Sequence, residues 1–441
     1  MFEYGFWDGV ADDIYVKNFD RKIRQNLNDL EDFRADADCP MLFEGSPNGM
    51  SYYKAVNKSS FWKFKNDEEI IFNEIENSED KCQALKEVYP FLEKPLSPEE
   101  AEFPIGYGML IYSGLQQIMY EMSSFYQPQN AYCIAVDGRS TEDFVRRIKL
   151  LQECFPNIHI FRSAPIEYCR YEIIHTLWKC VEKLSFSSHP WKYFQYLSGV
   201  DLPLKTNREM VRIFKALNGS FNVDIMQLEP YRIPRSNPPL QLWKSSMSAV
   251  FSRESANFMV RNPTIQIYLR ALRDGYCQDE SLWGTIASQP DRLPMPGGFN
   301  GTELFRKVIE QAYKMKKVAK IERKPTKKEP FPLKSYYISR YQVWDRINFL
   351  NAGQTCKGRF VKASCVFGPN SLEDLIIRPE LVVHKLYFDL FPATFFCLYE
   401  KIWQRALDIN QQELFDASAY SNLALVKYQQ TGSLDGVDLY F

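Results

Sequence analysis

The sequence predicts an α/β protein built around a mainly parallel sheet. From Ile105 onward, short apolar runs alternate with stretches of helical periodicity, which is the pattern of consecutive β-α-β units. The composition is that of a folded globular chain: 441 residues, 45% of them hydrophobic and 25% charged, with 20 glycines and 25 prolines. Collagen-like, low-complexity and disordered classes are therefore excluded.

The apolar runs define the expected strands, and the amphipathic stretches between them define the expected helices. We predict strands at 107–111, 131–136, 158–161, 194–197, 221–226 and 249–251, and helices at 115–125, 142–154, 171–184 and 279–286. Strands in this order usually lie parallel, and ligands bind beyond their carboxyl ends. We therefore expect a ligand pocket near Asp137 and Asp201.

The chain divides into a flank and one main domain. Residues 1–100 are charge-rich with aromatic patches, and Pro95 and Pro98 close the segment. We interpret them as a flank or stem that packs on the core, and residues 101–441 as the main domain.

Charge and hydropathy exclude two classes of partner for the chain as a whole. Basic and acidic residues number 54 and 55, so no global field favours nucleic acid or an anionic membrane. The longest uncharged stretch, 103–120, contains Pro104 and three glycines and does not predict a membrane helix. The first residues show neither a signal peptide nor a signal anchor.

The cysteines and sequons favour an oxidising compartment. The ten cysteines form no Cys-x-x-Cys pair and are scattered as disulfide cysteines usually are. Asn57, Asn218 and Asn300 each begin an N-glycosylation sequon. We expect a protein of the secretory pathway, with any membrane anchor in a segment absent from this chain.

Several catalytic motifs are missing from the sequence. It contains no GxSxG, GxxxxGK[ST], GxGxxG or HExxH, which argues against serine hydrolases, P-loop enzymes, typical dinucleotide enzymes and a histidine-based metal site. One Asp-x-Asp occurs, Asp36-Ala37-Asp38, but no apolar strand precedes it. We interpret it as a surface turn and predict no metal site.

Three charged residues are candidates for chemistry. Glu280 follows Asp279 at a predicted helix start beside Leu282 and Trp283, where partial burial favours a general base; a helix-capping acid is the alternative. Lys362 and Lys385 flank apolar runs, where two ammonium groups would neutralise a phosphate leaving group; ordinary surface lysines are the alternative.

Seven ordered blocks between residues 103 and 402 resemble the core-2/I-branching β-1,6-N-acetylglucosaminyltransferases, glycosyltransferase family 14, whose conserved region is the Branch domain. The blocks are FPIGYGMLIYSG, YQPQNAYCIAVDGRS, ECFPNIHI, WKYFQYLSGVDLPLKTN, SSMSAVFSRE, QDESLWGTI and CKGRFVKASCVFG.

This resemblance implies a GT-A-like fold, with a Rossmann-like nucleotide-binding sheet and additional C-terminal strands and helices. It implies an inverting transfer of N-acetylglucosamine from UDP-GlcNAc to the 6-hydroxyl of a sugar in an O-linked glycan, without a metal or cofactor. The expected partners are a UDP-sugar and a glycoprotein, with no nucleic acid, and the expected location is the lumenal side of the Golgi membrane.

The resemblance also assigns site residues. Glu280 matches the base of the family's Asp-Glu-x-Leu-Trp motif, Lys362 and Lys385 match the pair that holds the UDP diphosphate, and Asp137 matches the nucleotide-side Asp. The candidates for acceptor contacts are Asp224, Glu229, Arg232, Arg235, Tyr341 and Trp344.

Four disulfides carry over from the family by matching cysteines. The implied pairs are Cys39–Cys397, Cys82–Cys154, Cys133–Cys180 and Cys356–Cys365. Cys169 and Cys277 remain, either paired or free.

The chain departs from the family at three places. Lys362 stands where Arg is usual, and Lys cannot make the planar two-pronged contact to phosphate. Tyr112-Ser113-Gly114 replaces a His-Lys-Asp, and Ser198 stands at a Cys position. Two alternatives therefore stay open: a donor specificity like that of the related xylosyltransferases, and a non-catalytic member that binds a glycan or UDP.

Overall fold

The computed structural model describes residues 2–45, 49–321, 336–345 and 355–439. The strands of the described ranges are β1 Ile105–Ile111, β2 Ala131–Val136, β3 Ile158–Arg162, β4 Tyr193–Ser198, β5 Asp201–Pro203, β6 Met226–Gln227, β7 Trp243–Lys244, β8 Val250–Ser252, β9 Arg340–Tyr341, β10 Gly358–Val361, β11 Ser364–Phe367 and β12 Val382–His384. The main sheet has five strands in the order β3-β2-β1-β4-β8.

The helices surround this sheet and fill the N-terminal region. The helices before β2 are α1 Asp13–Asn28, α2 Phe33–Asp36, α3 Cys39–Glu44, α4 Met50–Phe61, α5 Glu68–Asn77, α6 Lys81–Val88, α7 Pro98–Ala101 and α8 Leu115–Phe125. The later ones are α9 Glu142–Ile148, α10 Leu150–Cys154, α11 Tyr171–Ser185, α12 Asn207–Leu217, α13 Arg253–Arg261, α14 Pro263–Ala271, α15 Leu282–Ala287, α16 Gly301–Ile321, α17 Leu372–Leu375, α18 Pro392–Leu407, α19 Ile409–Leu414 and α20 Ala424–Thr431.

The first four strands of the sheet are parallel, and β8 pairs antiparallel with β4. The order 3-2-1-4 is that of a nucleotide-binding half, with its topological switch between β1 and β4. The predicted α/β, GT-A-like fold class is therefore confirmed. Asp137 and Asp201 both lie beyond the carboxyl edge of this sheet, Asp137 after β2 and Asp201 in the short strand that follows β4.

The sheet is covered on both faces, which explains why its strands read as continuous apolar runs. Alternate residues of β2 enter two different hydrophobic clusters: Tyr132, Ile134 and Val136 face one, and Ala131, Cys133 and Ala135 face the other. A strand buried on both sides has no polar face to show in its sequence.

Three predicted elements differ from the structure. The expected strand at 221–226 is limited to a bridge between Asn222 and Val250 before β6 begins. Loops and side chains use its backbone donors instead: Phe221 N–H donates to the Gly297 carbonyl, and Ile225 N–H donates to the Tyr336 hydroxyl.

The other two differences concern helices. The helix predicted at 142–154 is divided into α9 and α10 at Lys149. The helix predicted at 279–286 begins as a 3₁₀ turn, Gln278–Ser281, and becomes α-helical only at Leu282.

The N-terminal helices pack on the main domain. The α1 residues Phe19, Ile23 and Leu27 lie in the same hydrophobic cluster as Phe396 of α18. The Arg34 guanidinium donates two hydrogen bonds, of 2.7 and 2.9 Å, to the Glu400 carboxylate. The periodicity of this region is masked by its many charges, and the sequence did not predict these helices.

All four disulfides implied by the family resemblance are present in the structure. The two remaining cysteines form a fifth link, Cys169–Cys277, so all ten cysteines are paired. Of the sequon residues, Asn57 and Asn218 are exposed, whereas the Asn300 side chain caps α16 through a 3.1 Å bond from Glu303 N–H. Within the described ranges, no helix has the length and apolar character of a membrane span.

The two disulfides that differ most in loop length give a test of this covalent framework. Cys39–Cys397 closes a separation of 358 residues and Cys356–Cys365 one of 9. Replacing both cysteines of a link by Ala should lower the free energy of unfolding more for the long loop, by about 3 kcal/mol on chain-entropy grounds. Urea unfolding of the two double variants measures the difference, and equal losses would contradict the expected covalent constraint.

Candidate functional site

Asp137 holds two loops together at the carboxyl edge of the sheet. Its carboxylate accepts a 2.7 Å hydrogen bond from the Arg139 guanidinium and a 3.1 Å bond from the Ile166 N–H. Burial opposes ionisation, but Arg139 and the backbone donors outweigh it, so the pKa of Asp137 lies below its ordinary value. Gly138 allows the loops to meet, since a Cβ there would lie 2.6 Å from the Ser163 carbonyl oxygen.

The two predicted phosphate-binding lysines lie together, on adjoining elements. Lys362 and Ala363 form the two-residue turn between β10 and β11, with φ of 49° and 65°, and the Lys362 side chain is exposed. Such turns normally use Gly or Asn at these positions, so this conformation is a local strain. Lys385, directly after β12, is buried, and its ammonium donates a 3.0 Å hydrogen bond to the Val361 carbonyl. Lys385 therefore supports the turn that carries Lys362.

The surroundings of Lys385 oppose its positive charge. Burial lowers its pKa, and the positive charges of Lys362 and Arg340 lower it further. An anion placed between these cations would relieve their repulsion. The arrangement is therefore suited to binding a diphosphate.

His384, the residue before Lys385, is held by a hydrogen-bonded pair with Asp201. His384 Nδ1–H donates a 2.7 Å hydrogen bond to Asp201 Oδ1, and Ser198 N–H donates a 2.7 Å bond to Asp201 Oδ2. Burial lowers the pKa of His384 to about 4, so the ring is neutral at pH 7. The pair connects β5 to β12 and so orients Lys385.

Glu280 lies in the 3₁₀ turn Gln278–Ser281, among basic side chains. Its carboxylate is paired with the Arg232 guanidinium, and the Lys244 ammonium lies 3.6 Å away. Glu229 pairs with the same two cations, at 3.2 Å from Arg232 and 3.0 Å from Lys244. Two acids and two bases thus alternate, and the Glu280 side chain keeps 27% of its surface exposed.

Two further carboxyls lie close enough to Glu280 to feel its charge. Burial, together with the smaller effect of the Glu280 charge, raises the pKa of both Asp224 and Asp279 to about 6. Asp224 accepts a 2.5 Å hydrogen bond from Ser246 N–H, whereas Asp279 Oδ1 is buried without a hydrogen-bond partner. The carboxyls of Glu280, Asp224 and Asp279 therefore lie close together in the site.

Arg340 connects the two halves of the site. It is buried in β9, and its guanidinium donates a 2.9 Å hydrogen bond to Gln342. Its positive charge acts on Asp224 on one side and on Lys385 on the other, as the pKa shifts of both groups record. The sequence did not point to Arg340 or Lys244, because each lies in a two-residue strand with no motif around it.

The residues predicted to contact the acceptor lie at different places in the structure. Glu229, Arg232 and Asp224 gather around Glu280, while Arg235 is exposed. Trp344 is 38% exposed and bridges to Ser364 beside the Lys362 turn.

Tyr341 does not fit the predicted role of a sugar platform. It is buried, with its ring stacked on Phe367 at 5.4 Å and covered by the Arg378 guanidinium at 4.1 Å. With Phe367 and Arg378 against it and only 7% of its surface exposed, Tyr341 packs as core.

The Asp36-Ala37-Asp38 segment lies in the N-terminal helices, outside this site. Asp38 caps α3, and Asp36 pairs with Lys58 at 3.1 Å, as a surface turn would. Among the described residues, no three His, Cys, Asp or Glu side chains are grouped as metal ligands.

A family model described as Core-2/I-Branching enzyme, the Branch family, matches residues 105–325, about half of the chain. The chain therefore belongs to this family of core-2/I-branching enzymes, and the predicted class, a glycosyltransferase of the branching type, is confirmed. The match begins at β1 and includes Glu280. It ends before Lys362 and Lys385.

Curated relatives carry consistent names. A human beta-1,3-galactosyl-O-glycosyl-glycoprotein beta-1,6-N-acetylglucosaminyltransferase is 26% identical over 397 residues, covering 85% of this chain and 86% of the relative. A second human protein of that name, number 3, is 32% identical over 227 residues, covering 46% and 52%. Among solved structures, the yeast mannosyltransferase Ktr4p aligns over 59% of this chain and 68% of its own, with 10% identity and a TM-score of 0.17, which is too weak to support an inference.

The raised pKa of Asp224 leads to a stability prediction. Its ordinary value is 3.8 and its value in the fold is about 6, so the unfolded chain releases this proton first, and stability is lost as the pH rises through about 6. Asp224→Asn removes the buried charge but keeps an oxygen for Ser246 N–H. We expect the variant to be more stable than wild type above pH 6 and the difference to close below about pH 4.

Thermal unfolding midpoints measured from pH 4 to pH 8 check this expectation. Asp8→Asn, at an exposed acid, is the matched control. A gap between Asp224→Asn and wild type that does not change with pH would contradict the assignment.

Proposed function

We propose that this protein transfers N-acetylglucosamine from UDP-GlcNAc to the 6-hydroxyl of a sugar in an O-linked glycan, with inversion and without a metal ion. The names of its relatives support the donor and acceptor classes. The observation that carries the proposal is the placement of Glu280 among acceptor-side charges, with two lysines across Arg340 on the donor side.

Glu280 acts as the general base in this proposal. Its carboxylate takes the proton of the acceptor 6-hydroxyl while the hydroxyl oxygen bonds to the anomeric carbon of the donor sugar. The bond from that carbon to the phosphate oxygen breaks, and its electron pair leaves with UDP. Since the nucleophile attacks opposite the leaving group, a single displacement inverts the configuration.

The lysines stabilise the leaving diphosphate. Negative charge builds up on the β-phosphate oxygens as the bond breaks, and fixed cations beside it lower the barrier. Lys385 is held rigidly by the Val361 carbonyl, and Lys362 is projected by the strained turn. These two charges take the role that a divalent cation would otherwise fill, which is the basis for proposing a metal-independent reaction.

The proposed location is the lumenal side of the Golgi membrane. Five disulfides support an oxidising compartment, since such links persist in the secretory pathway and are rare in the cytosol.

One observation favours a second candidate, a non-catalytic protein that binds UDP or a glycan. The Glu280 carboxylate is engaged by Arg232, and a base so paired must exchange this contact for the acceptor hydroxyl before it can act. Saturable UDP binding without turnover of any UDP-sugar would support that candidate. A screen that includes UDP-xylose also separates a xylosyltransferase-like donor preference.

Substitution of the base and of the buried lysine tests the proposed reaction. We expect Glu280→Gln to abolish turnover while UDP binding is retained, because the amide cannot accept the proton. Lys385→Ala should lower kcat by about 10²–10³-fold, as the loss of one preorganised charge-stabilising group does. UDP release with UDP-GlcNAc and a core-1 disaccharide, in EDTA, measures both. Unchanged activity in either variant, or a rate abolished by EDTA, would refute the mechanism.

A substitution of Lys362 that improves phosphate binding should strengthen donor binding instead of weakening it. Lys362→Arg supplies a two-pronged donor where the ammonium acts as a point charge, so we expect a several-fold lower KM for the donor. Lys362→Ala should raise that KM, with the acceptor KM unchanged. If Arg and Ala weaken donor binding equally, the turn does not contact the diphosphate.

A further inference from the structure

Three exposed tyrosines surround the Glu280 turn. Tyr168 is 86% exposed, Tyr231 69% and Tyr276 51%, and the rings of Tyr231 and Tyr276 lie 6.3 Å apart. We call these three residues the tyrosine rim. Large aromatic side chains left in solvent and grouped at one place mark a binding surface more often than scattered ones do.

Arg232 connects the rim to Glu280. Arg232, which pairs with Glu280, follows Tyr231 in the chain, and its guanidinium lies 5.9 Å from the Tyr231 ring centroid. Tyr168 directly precedes Cys169, whose carbonyl accepts a hydrogen bond from the Cys277 N–H immediately before the Gln278–Ser281 turn.

The fifth disulfide holds the rim together. Tyr168 and Tyr276 directly precede Cys169 and Cys277, the two cysteines of that link. Both cysteines have left-handed backbone, with φ of 63° and 50°, and Cys277 N–H donates a 3.2 Å hydrogen bond to the Cys169 carbonyl. Two strained residues fixed by a covalent link and a backbone bond place their neighbours in one defined arrangement.

A buried amide joins the third tyrosine to this arrangement. The Gln278 side-chain amide donates to the Arg232 carbonyl and, at 3.1 Å, to the Tyr276 carbonyl, so it connects the Tyr231–Arg232 turn to Tyr276. Gly275 leaves room for that side chain, because a Cβ there would lie 2.5 Å from Gln278 Cγ. The rim is therefore preorganised, which reduces the entropy lost on binding.

We infer that the tyrosine rim binds the sugar of the acceptor glycan that adjoins the sugar being modified. This rests on the proposed function, because it assumes that an acceptor hydroxyl is placed at Glu280. An acceptor so placed presents its neighbouring residue to the rim. A tyrosine offers a flat apolar ring with a hydroxyl at its tip, which matches a sugar ring with an apolar C–H face and peripheral hydroxyls.

The test compares acceptors that reach the rim with one that does not. With a core-1 disaccharide, Tyr168→Ala, Tyr231→Ala and Tyr276→Ala should each raise the acceptor KM by about 3–10-fold, with kcat and donor KM unchanged. With a single N-acetylgalactosamine as acceptor, the same variants should match wild type. The Phe variants should keep most of the affinity, and Tyr53→Ala, at a 60% exposed tyrosine of α4, is the control.

Three outcomes would overturn the inference. These are an unchanged acceptor KM with the disaccharide, an equal loss of affinity for both acceptors, or a loss confined to a glycopeptide acceptor, which would assign the rim to the polypeptide.

Saturation-transfer NMR with the free disaccharide requires no turnover and separates this inference from the proposed function. If wild type transfers no sugar, a disaccharide signal lost in the rim variants but kept in Tyr53→Ala supports the rim alone. Absence of that signal in wild type refutes it.

Discussion

The ion pair between Arg232 and Glu280 is the interaction on which the carboxylate-rich half of the site depends. Four carboxyls, those of Glu280, Glu229, Asp224 and Asp279, gather in a partly buried space, where mutual repulsion and lost hydration oppose their charges. Arg232 and Lys244 offset the two that are more accessible to solvent. The two buried aspartates are offset less, and the pKa of each is about 6. Glu280 and Glu229 thus have cationic partners, whereas burial opposes the negative charge of Asp224 and Asp279 beside them.

The half of the site that contains Lys362 and Lys385 is arranged by the opposite charge. Buried Lys385, the exposed Lys362 turn and Arg340 bring positive charges together, and the fall in the Lys385 pKa shows that the charged state is opposed there. The repulsion is tolerated because Lys385 has a carbonyl partner in Val361 and because the Asp201–His384 pair fixes the strand before it. The positive charge of Arg340 acts on Asp224 in one half and on Lys385 in the other.

Much of the fold was predictable because strands buried on both faces leave a strong apolar signal, as Ala131–Val136 does. The extended segment at 221–226 misled the prediction, since its apolar residues are buried but its backbone pairs with loops and side chains. Tyr341 misled it in the same way, because an aromatic residue in an apolar run packs as core whether or not a ligand site is near. The helices before residue 95 carry too many charges for their short apolar faces to stand out.

The sequence by itself determined the α/β class, the family resemblance with its four implied disulfides, and the identity of Glu280, Lys362 and Lys385 as candidates, because local patterns and ordered motifs survive without coordinates. Only the tertiary structure decided which charges meet. Lys244, Arg340 and the three rim tyrosines come from short strands and loops far apart in the chain, and no local pattern marks them. Lys244 is placed by the pairing of β7 with β6, Arg340 by the pairing of β9 with β12, and two of the tyrosines by the link between Cys169 and Cys277. These are long-range constraints that a linear pattern does not record.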